Sequence, residues 1–257
     1  MTFHPGLEHK LLAHVLSRHP SKTEPSSILS TIDDFCLKQY WMMHVGPSKR
    51  GILLEAVKKS VGNYLLRRRQ KTPGNGDGSD EVFSILEIGT YCGYSSLMFT
   101  ELVRDALASA GVEFQVSIKT LEIHPPFAAI AEKLIATADL GDIISVHTPT
   151  SGLSLFLETL LPNSIDFLFI DHDKDEYLTD LKSVIAGKVM RPGSVVCADN
   201  VVMGRIDDYL EFCRDECARG GFFSETATKM DFIEYSNEER EKGRKGLEDG
   251  VEVSLVR

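Results

Sequence analysis

Four residues whose types can do chemistry sit at the ends of two apolar runs. Ile165-Asp-Phe-Leu-Phe-Ile170 ends in Asp171-His-Asp-Lys174, and Gly193-Ser-Val-Val-Cys-Ala198 ends in Asp199-Asn200. Short apolar runs of this kind read as buried strands of a parallel sheet, whose ligands bind outside the carboxyl ends of the strands. Neighbouring strands then bring Asp171, Asp199 and Asn200 to one edge, with Lys174 beside them. Three oxygen donors suit a hard cation such as Mg²⁺, which leaves coordination positions open for water and substrate oxygens. Asp173 and Asp175 are spaced to compete as ligands, and in a plainer reading Asp171 and Asp199 only cap helices. A lysine beside a divalent cation has its pKa pushed down and becomes a candidate general base. An ordinary surface lysine is the alternative.

A second stretch, Glu87-Ile-Gly-Thr-Tyr-Cys-Gly-Tyr-Ser95, follows another apolar run and opens a helix. Gly89 and Gly93 let the backbone turn sharply and approach a ligand. The stretch lacks the GxGxxG of dinucleotide sites and the GK[ST] of phosphate loops. Its Glu-x-Gly-x-x-x-Gly form is closer to the nucleoside loop of S-adenosylmethionine (AdoMet) methyltransferases, with a structural glycine turn as the alternative. The next strand ends in Glu122, which is placed to accept hydrogen bonds from both ribose hydroxyls or to serve as a simple strand-end carboxylate.

Alternating strand and helix patterns position these residues. Strands are expected near 82–88, 115–122, 143–147, 165–171 and 193–199. Helices are expected near 94–110, 126–138, 151–160, 176–189 and 205–218. Two further strands lie near 222–228 and 250–256, and the alternation implies an α/β parallel sheet. Upstream, the spacing of Leu7, Leu11, Leu12, Val15 and Leu16 reads as a helix over 7–18. A second helix runs from Ser26 or Ser27 to about Gln39, and a third from about Ser48 to Arg69, ending in a basic run that reads as solvated. Residues 1–70 thus form a helical cap, 71–81 a flexible loop and 82–257 the α/β body of one domain.

At 257 residues with 42% hydrophobic content, the chain can bury one large core. The formal charge of -10 argues against nucleic acid as a partner. Apolar runs are strand-sized, so no membrane span is expected. Five cysteines without a CxxC pair suggest free thiols in a reducing, cytoplasmic setting.

Five segments together resemble catechol O-methyltransferases. They are Trp41-Met-Met-His-Val-Gly46, Leu86-Glu-Ile-Gly-Thr-Tyr-Cys-Gly-Tyr-Ser95, Phe169-Ile-Asp-His-Asp-Lys-Asp-Glu-Tyr-Leu178, Ala198-Asp-Asn-Val201 and Phe232-Ile-Glu-Tyr235. The resemblance implies a Rossmann-like methyltransferase fold: a seven-stranded, mostly parallel sheet with helices on both faces and an N-terminal helical cap. It also implies AdoMet as donor and Mg²⁺ as metal. Metal ligation falls to Asp171, Asp199 and Asn200, proton abstraction to Lys174, and a hydrogen bond to the second substrate hydroxyl to Glu234. Cofactor contacts match Met43, Val45, Glu87, Gly89, Tyr91, Ser95, Glu122, Ile123, Asp171 and His172, with Thr150 and Ser151 near the adenine. Trp41, Met43, Lys174, Asn200 and Glu234 match the acceptor site.

Three departures stand out. Asp173 replaces a tryptophan, Val202-Met203-Gly204 replaces a run with a ring-walling proline, and Thr148-Pro-Thr-Ser151 replaces Gly-Ala-Ser-Gln. The expectation is Mg²⁺-dependent methyl transfer from AdoMet to one hydroxyl of a small catechol or phenolic, by a monomer. The alternatives are another phenolic or a coenzyme A ester as acceptor, or AdoMet binding without turnover. Cys92 is expected to pack rather than react.

Overall fold

Three helices come before the first strand: α1 (Leu7–Arg18), α2 (Pro25–Lys38) and α3 (Arg50–Gln70). The computed structural model describes residues 6–70, 82–233 and 247–257. The expected 71–81 loop and Glu234 therefore lie outside the described residues. Leu7, Leu11 and Val15 bury one stripe of α1, as their helical spacing requires. Pro25 occupies the first turn of α2, where its missing N–H costs nothing.

The body then alternates β1 (Val82–Ile88), α4 (Tyr94–Ala110), β2 (Gln115–Leu121), α5 (Pro125–Thr137), β3 (Ile144–His147) and α6 (Leu153–Leu157). It continues with β4 (Ile165–Ile170), a 3₁₀ turn (Lys174–Glu176), α7 (Tyr177–Gly187), β5 (Met190–Ala198), α8 (Asp207–Ala218), β6 (Phe223–Ile233) and β7 (Leu247–Val256). One seven-stranded sheet results, in the order β3-β2-β1-β4-β5-β7-β6. Neighbours from β3 to β5 run parallel, and β7 runs antiparallel to both β5 and β6. This is the expected seven-stranded, mostly parallel sheet.

The pleat sorts the core into two layers. Phe83, Ile85, Phe167, Phe169, Val195 and Cys197 pack toward α1–α5, while Leu86, Ile88, Leu168, Ile170, Val196 and Ala198 pack toward α6–α8. Helices therefore cover both faces. The strand order reverses between β1 and β4, so the crevice at their carboxyl ends is where an open α/β sheet binds its ligand.

Some boundaries move. β5 starts at Met190 rather than 193, because Met190 pairs with Ile165 of β4, and Arg191 reaches back to the buried Asp166. β6 and β7 are longer than expected because they pair as a ladder as far as Ile233 opposite Leu247. The basic end of α3 is not wholly solvated. Arg67 bonds the Pro192 carbonyl at 2.8 Å and pairs with Asp166. Among the described residues, no helix is long and apolar enough to cross a membrane.

Candidate active site

The loop after β1 is held by the strand beside it. Gly89 N and Thr90 N both donate to the Leu121 carbonyl at 3.0 Å. Gly89 has φ +103°, a conformation open to glycine, and any β-carbon there would strike the Asp171 backbone. Tyr91 also takes positive φ and is pinned twice. Its N–H donates to Glu122 Oε2 at 2.8 Å, and its hydroxyl donates to Glu8 Oε1 at 2.8 Å. Glu8 comes from α1 and is buried, so the N-terminal helix helps to fix the loop. Glu122 Oε1 accepts His124 N at 2.8 Å, which leaves further lone pairs of a nearly buried carboxylate facing the cavity.

The second half of the site stands at the ends of β4 and β5. Asp171 N donates to the Ile88 carbonyl and Asp199 N to the Ile170 carbonyl, both at 2.9 Å, so three neighbouring strand ends are locked in register. Lys174 Nζ lies 2.9 Å from Asp171 Oδ1 and donates to Tyr177 Oη at 2.6 Å. Tyr177 in turn donates to the Asp199 carbonyl at 3.0 Å. His172 stacks on Tyr177 and pairs through Nε2 with Asp180 at 2.7 Å. Gly204 lies against the Lys174 stem, 3.2 Å from where a β-carbon would sit to Lys174 Cγ.

Two groups that the sequence did not single out complete this edge. Lys49, buried beside the start of α3, donates to Asp199 Oδ1 at 2.5 Å and to Asp249 Oδ2 at 2.7 Å. Burial alone would lower the Lys49 pKa, but Asp199 and Asp249 outweigh it and hold the ammonium above its ordinary range. Burial and the neighbouring Asp171 push Asp199 up to about 6, even with Lys49 beside it.

A cavity of about 1000 Å³ joins the two halves. Trp41, Met43, Val45, Gly89, Tyr91, Ser95, Glu122 and Ile123 line it, as do Asp171, His172, Lys174, Asp199 and Asn200. Glu87 does not. It is fully buried beneath the loop, bonded to Ser96 and Thr120, with its pKa raised by burial. Nor do Thr150 and Ser151 line the cavity; the flanking Pro149 and Gly152 do. Cys92 lines it, but burial pushes its thiol far up, away from nucleophile chemistry. The cavity also meets Asp173, Glu176 and His44, the last held 3.3 Å from Asp33.

Among the described residues, no three His, Cys, Asp or Glu side chains converge to hold a metal ion. The candidate set is instead two carboxylates and one amide. Their chemistry fits a hard cation: Asp171, Asp199 and Asn200 line the same cavity, and carboxylate and amide oxygens are the donors that such an ion prefers.

Residues 86–201 match a family described as a methyltransferase domain. The chain is 30% identical over 206 residues to catechol O-methyltransferase B of Danio rerio, covering 79% of this chain and 67% of that protein. It is 28% identical over 239 residues to catechol O-methyltransferase of Bos taurus, covering 88% and 75%. The SAH-bound structure of a Podospora anserina methyltransferase shares the fold, with a TM-score of 0.57 at 16% identity over 100% of this chain and 98% of that one.

Proposed function

The chain belongs to the catechol O-methyltransferase family of AdoMet-dependent O-methyltransferases, and from that premise we propose that it methylates one hydroxyl of a vicinal aromatic diol with the help of Mg²⁺. The observation that carries this reading is the pairing of Lys174 with Asp171 at 2.9 Å, in the same cavity as Asp199, Asn200 and the Glu122-anchored loop.

Gly89, Tyr91, Ser95, Glu122 and Ile123 would hold AdoMet on the β1 side of the crevice, with Met43 and Val45 facing it across the cavity. Mg²⁺ held by Asp171, Asp199 and Asn200 would polarise two adjacent acceptor oxygens and acidify the attacking hydroxyl. As a neutral amine, released from its pairing with Asp171, Lys174 Nζ would take that hydroxyl's proton and become the ammonium. The freed oxygen pair forms the O–CH₃ bond as the S–CH₃ bond breaks, giving an aryl methyl ether and S-adenosylhomocysteine. Tyr177 fixes Lys174 Nζ from the far side. Trp41 and Met43, which line the cavity, would wall the ring. Holding oxygen, methyl and sulfur aligned supplies much of the rate, since effective molarities of about 10⁵ M or more are available from such positioning. Glu234 is the candidate partner of the second hydroxyl.

Asp173 favours a second reading of the acceptor. Its carboxylate is exposed on the cavity rim, capping Asp175 N at 3.2 Å. An acceptor with polar substituents is better suited to that rim than a bare apolar ring.

Transfer from labelled AdoMet to a simple catechol, with Mg²⁺ and then with chelator, tests both points. Metal-dependent methyl ether supports the reading. Equal product in chelator removes the metal, and AdoMet binding without transfer to any diol of a panel leaves a silent binding protein.

A further inference from the structure

Asp249 is the least exposed acid at this edge, with no accessible surface, although it belongs to none of the candidate ligands. Its position follows from the topology. β7 runs antiparallel to β5, with Glu252 opposite Ala198. The residues just before Glu252 therefore overshoot the carboxyl end of β5 and lie against the turn that carries Asp199 and Asn200.

The overshoot grips that turn at three points. Val201 N donates to the Gly250 carbonyl at 3.1 Å, Met203 N to Asp249 Oδ1 at 3.0 Å, and Asn200 Nδ2 to Asp249 Oδ2 at 2.7 Å. Asn200 sits at φ +57°, in the left-handed region that asparagine tolerates better than most residues. A carboxylate can only accept, so Asp249 must face the amide nitrogen of Asn200. The amide oxygen is then the atom that Asn200 has left to offer a cation. The same Asp249 oxygen takes a second donor, Lys49, whose Nζ bonds Asp199 Oδ1. Asn200 N also donates to that Oδ1, at 2.7 Å. Both protein donors thus fall on one oxygen of Asp199 and leave Oδ2 for a ligand.

We infer that Asp249 is a positioning residue for the cation site, aiming Asn200 through its amide and Asp199 through Lys49. The inference rests on the reading of Asp171, Asp199 and Asn200 as ligands. Outer groups that orient ligands typically carry a 10- to 100-fold effect on metal affinity.

The test is Mn²⁺ binding to the full chain, followed by water-proton relaxation, with AdoMet affinity measured by calorimetry beside it. Asp249→Asn keeps the shape but turns one acceptor into a donor facing Lys49 and Asn200. It is expected to weaken Mn²⁺ by about tenfold or more while AdoMet affinity stays within twofold. Equal Mn²⁺ affinity in variant and parent overturns the inference and leaves the metal reading standing. Parallel loss of Mn²⁺ and AdoMet affinity overturns it as a general collapse of the cavity. No Mn²⁺ uptake by the parent overturns both. Should the variant not fold, the parent suffices. Its Asn200 side-chain amide protons are expected to exchange slowly without metal and to shift on adding Mg²⁺, and fast exchange with no shift overturns the inference.

Discussion

The carbonyl oxygen of Asp171 fills the space that a β-carbon on Gly89 would need, 2.1 Å from its position. The loops after β1 and β4 therefore touch backbone to backbone, and the Asp171 N–H bond to Ile88 draws them together at 2.9 Å. Gly89→Ala at this φ is strained and pushes against the Asp171 carbonyl at once. The left-handed strain alone costs about 1–3 kcal/mol, and the backbone clash adds to it. Denaturant unfolding should show a loss of at least that size, with weaker AdoMet binding. A change under about 0.5 kcal/mol, the range of neutral surface substitutions, would mean that the two loops relax independently.

Lys174 Nζ is held by Asp171 on one side and Tyr177 on the other. As the proton acceptor it should contribute about 10²- to 10⁴-fold to rate. Lys174→Met should lower single-turnover methyl transfer by that factor and leave AdoMet affinity unchanged. Tyr177→Phe removes only the hydroxyl and should fall between the variant and the parent. Full turnover in Lys174→Met would remove it as the base.

His44 provides a pH-dependent test of stability. Burial would lower its pKa, but the neighbouring Asp33 and Cys36 outweigh burial and raise it to about 10. The folded value lies above the unfolded one of 6.5, so the native chain holds a proton that the unfolded chain releases. The stabilisation is fully present below pH 6.5 and is lost as pH rises toward 10. Unfolding free energy should therefore fall more steeply between those limits in the parent chain than in His44→Gln. Parallel curves for the two chains would show that the Asp33 contact, 3.3 Å long, carries no proton linkage.

The sheet was readable from sequence where strands are buried on both faces. Ile165–Ile170 is apolar at five of six positions and ends in charge, which marks both the strand and its functional end. β6 was underestimated because Lys229 and Asp231 lack a strand pattern; pairing with β7, rather than propensity, makes them a strand. Strand parity explains Glu87. It pairs in register with Thr120 and Phe169, so its side chain enters the α4 layer and not the crevice. Thr150 and Ser151 rested on loop spacing alone, which does not fix which residues turn inward. Lys49 and Asp249 could not be found by spacing: they lie 150 and 49 positions from the residues they hold, and only the fold joins them.

Glu122 carries the sharpest prediction about the donor. Each of its oxygens already accepts one backbone N–H at 2.8 Å, from Tyr91 and His124. That pair of bonds fixes the carboxylate plane and leaves one lone pair on each oxygen for a vicinal diol, the pattern that a ribose presents. Glu122→Gln removes the charge and converts one acceptor into a donor. A hydrogen bond to a charged group contributes about 1.5–3 kcal/mol, so AdoMet affinity should fall roughly 10- to 100-fold. Loss of affinity alone would not separate ribose recognition from damage to the Tyr91 loop. Comparison with the 2′-deoxy analogue of AdoMet separates them. The parent chain should prefer AdoMet over the analogue, whereas Glu122→Gln should bind both alike, because the group that reads the hydroxyl is gone. Equal preference in both chains would assign the effect to the loop and leave the ribose to another residue.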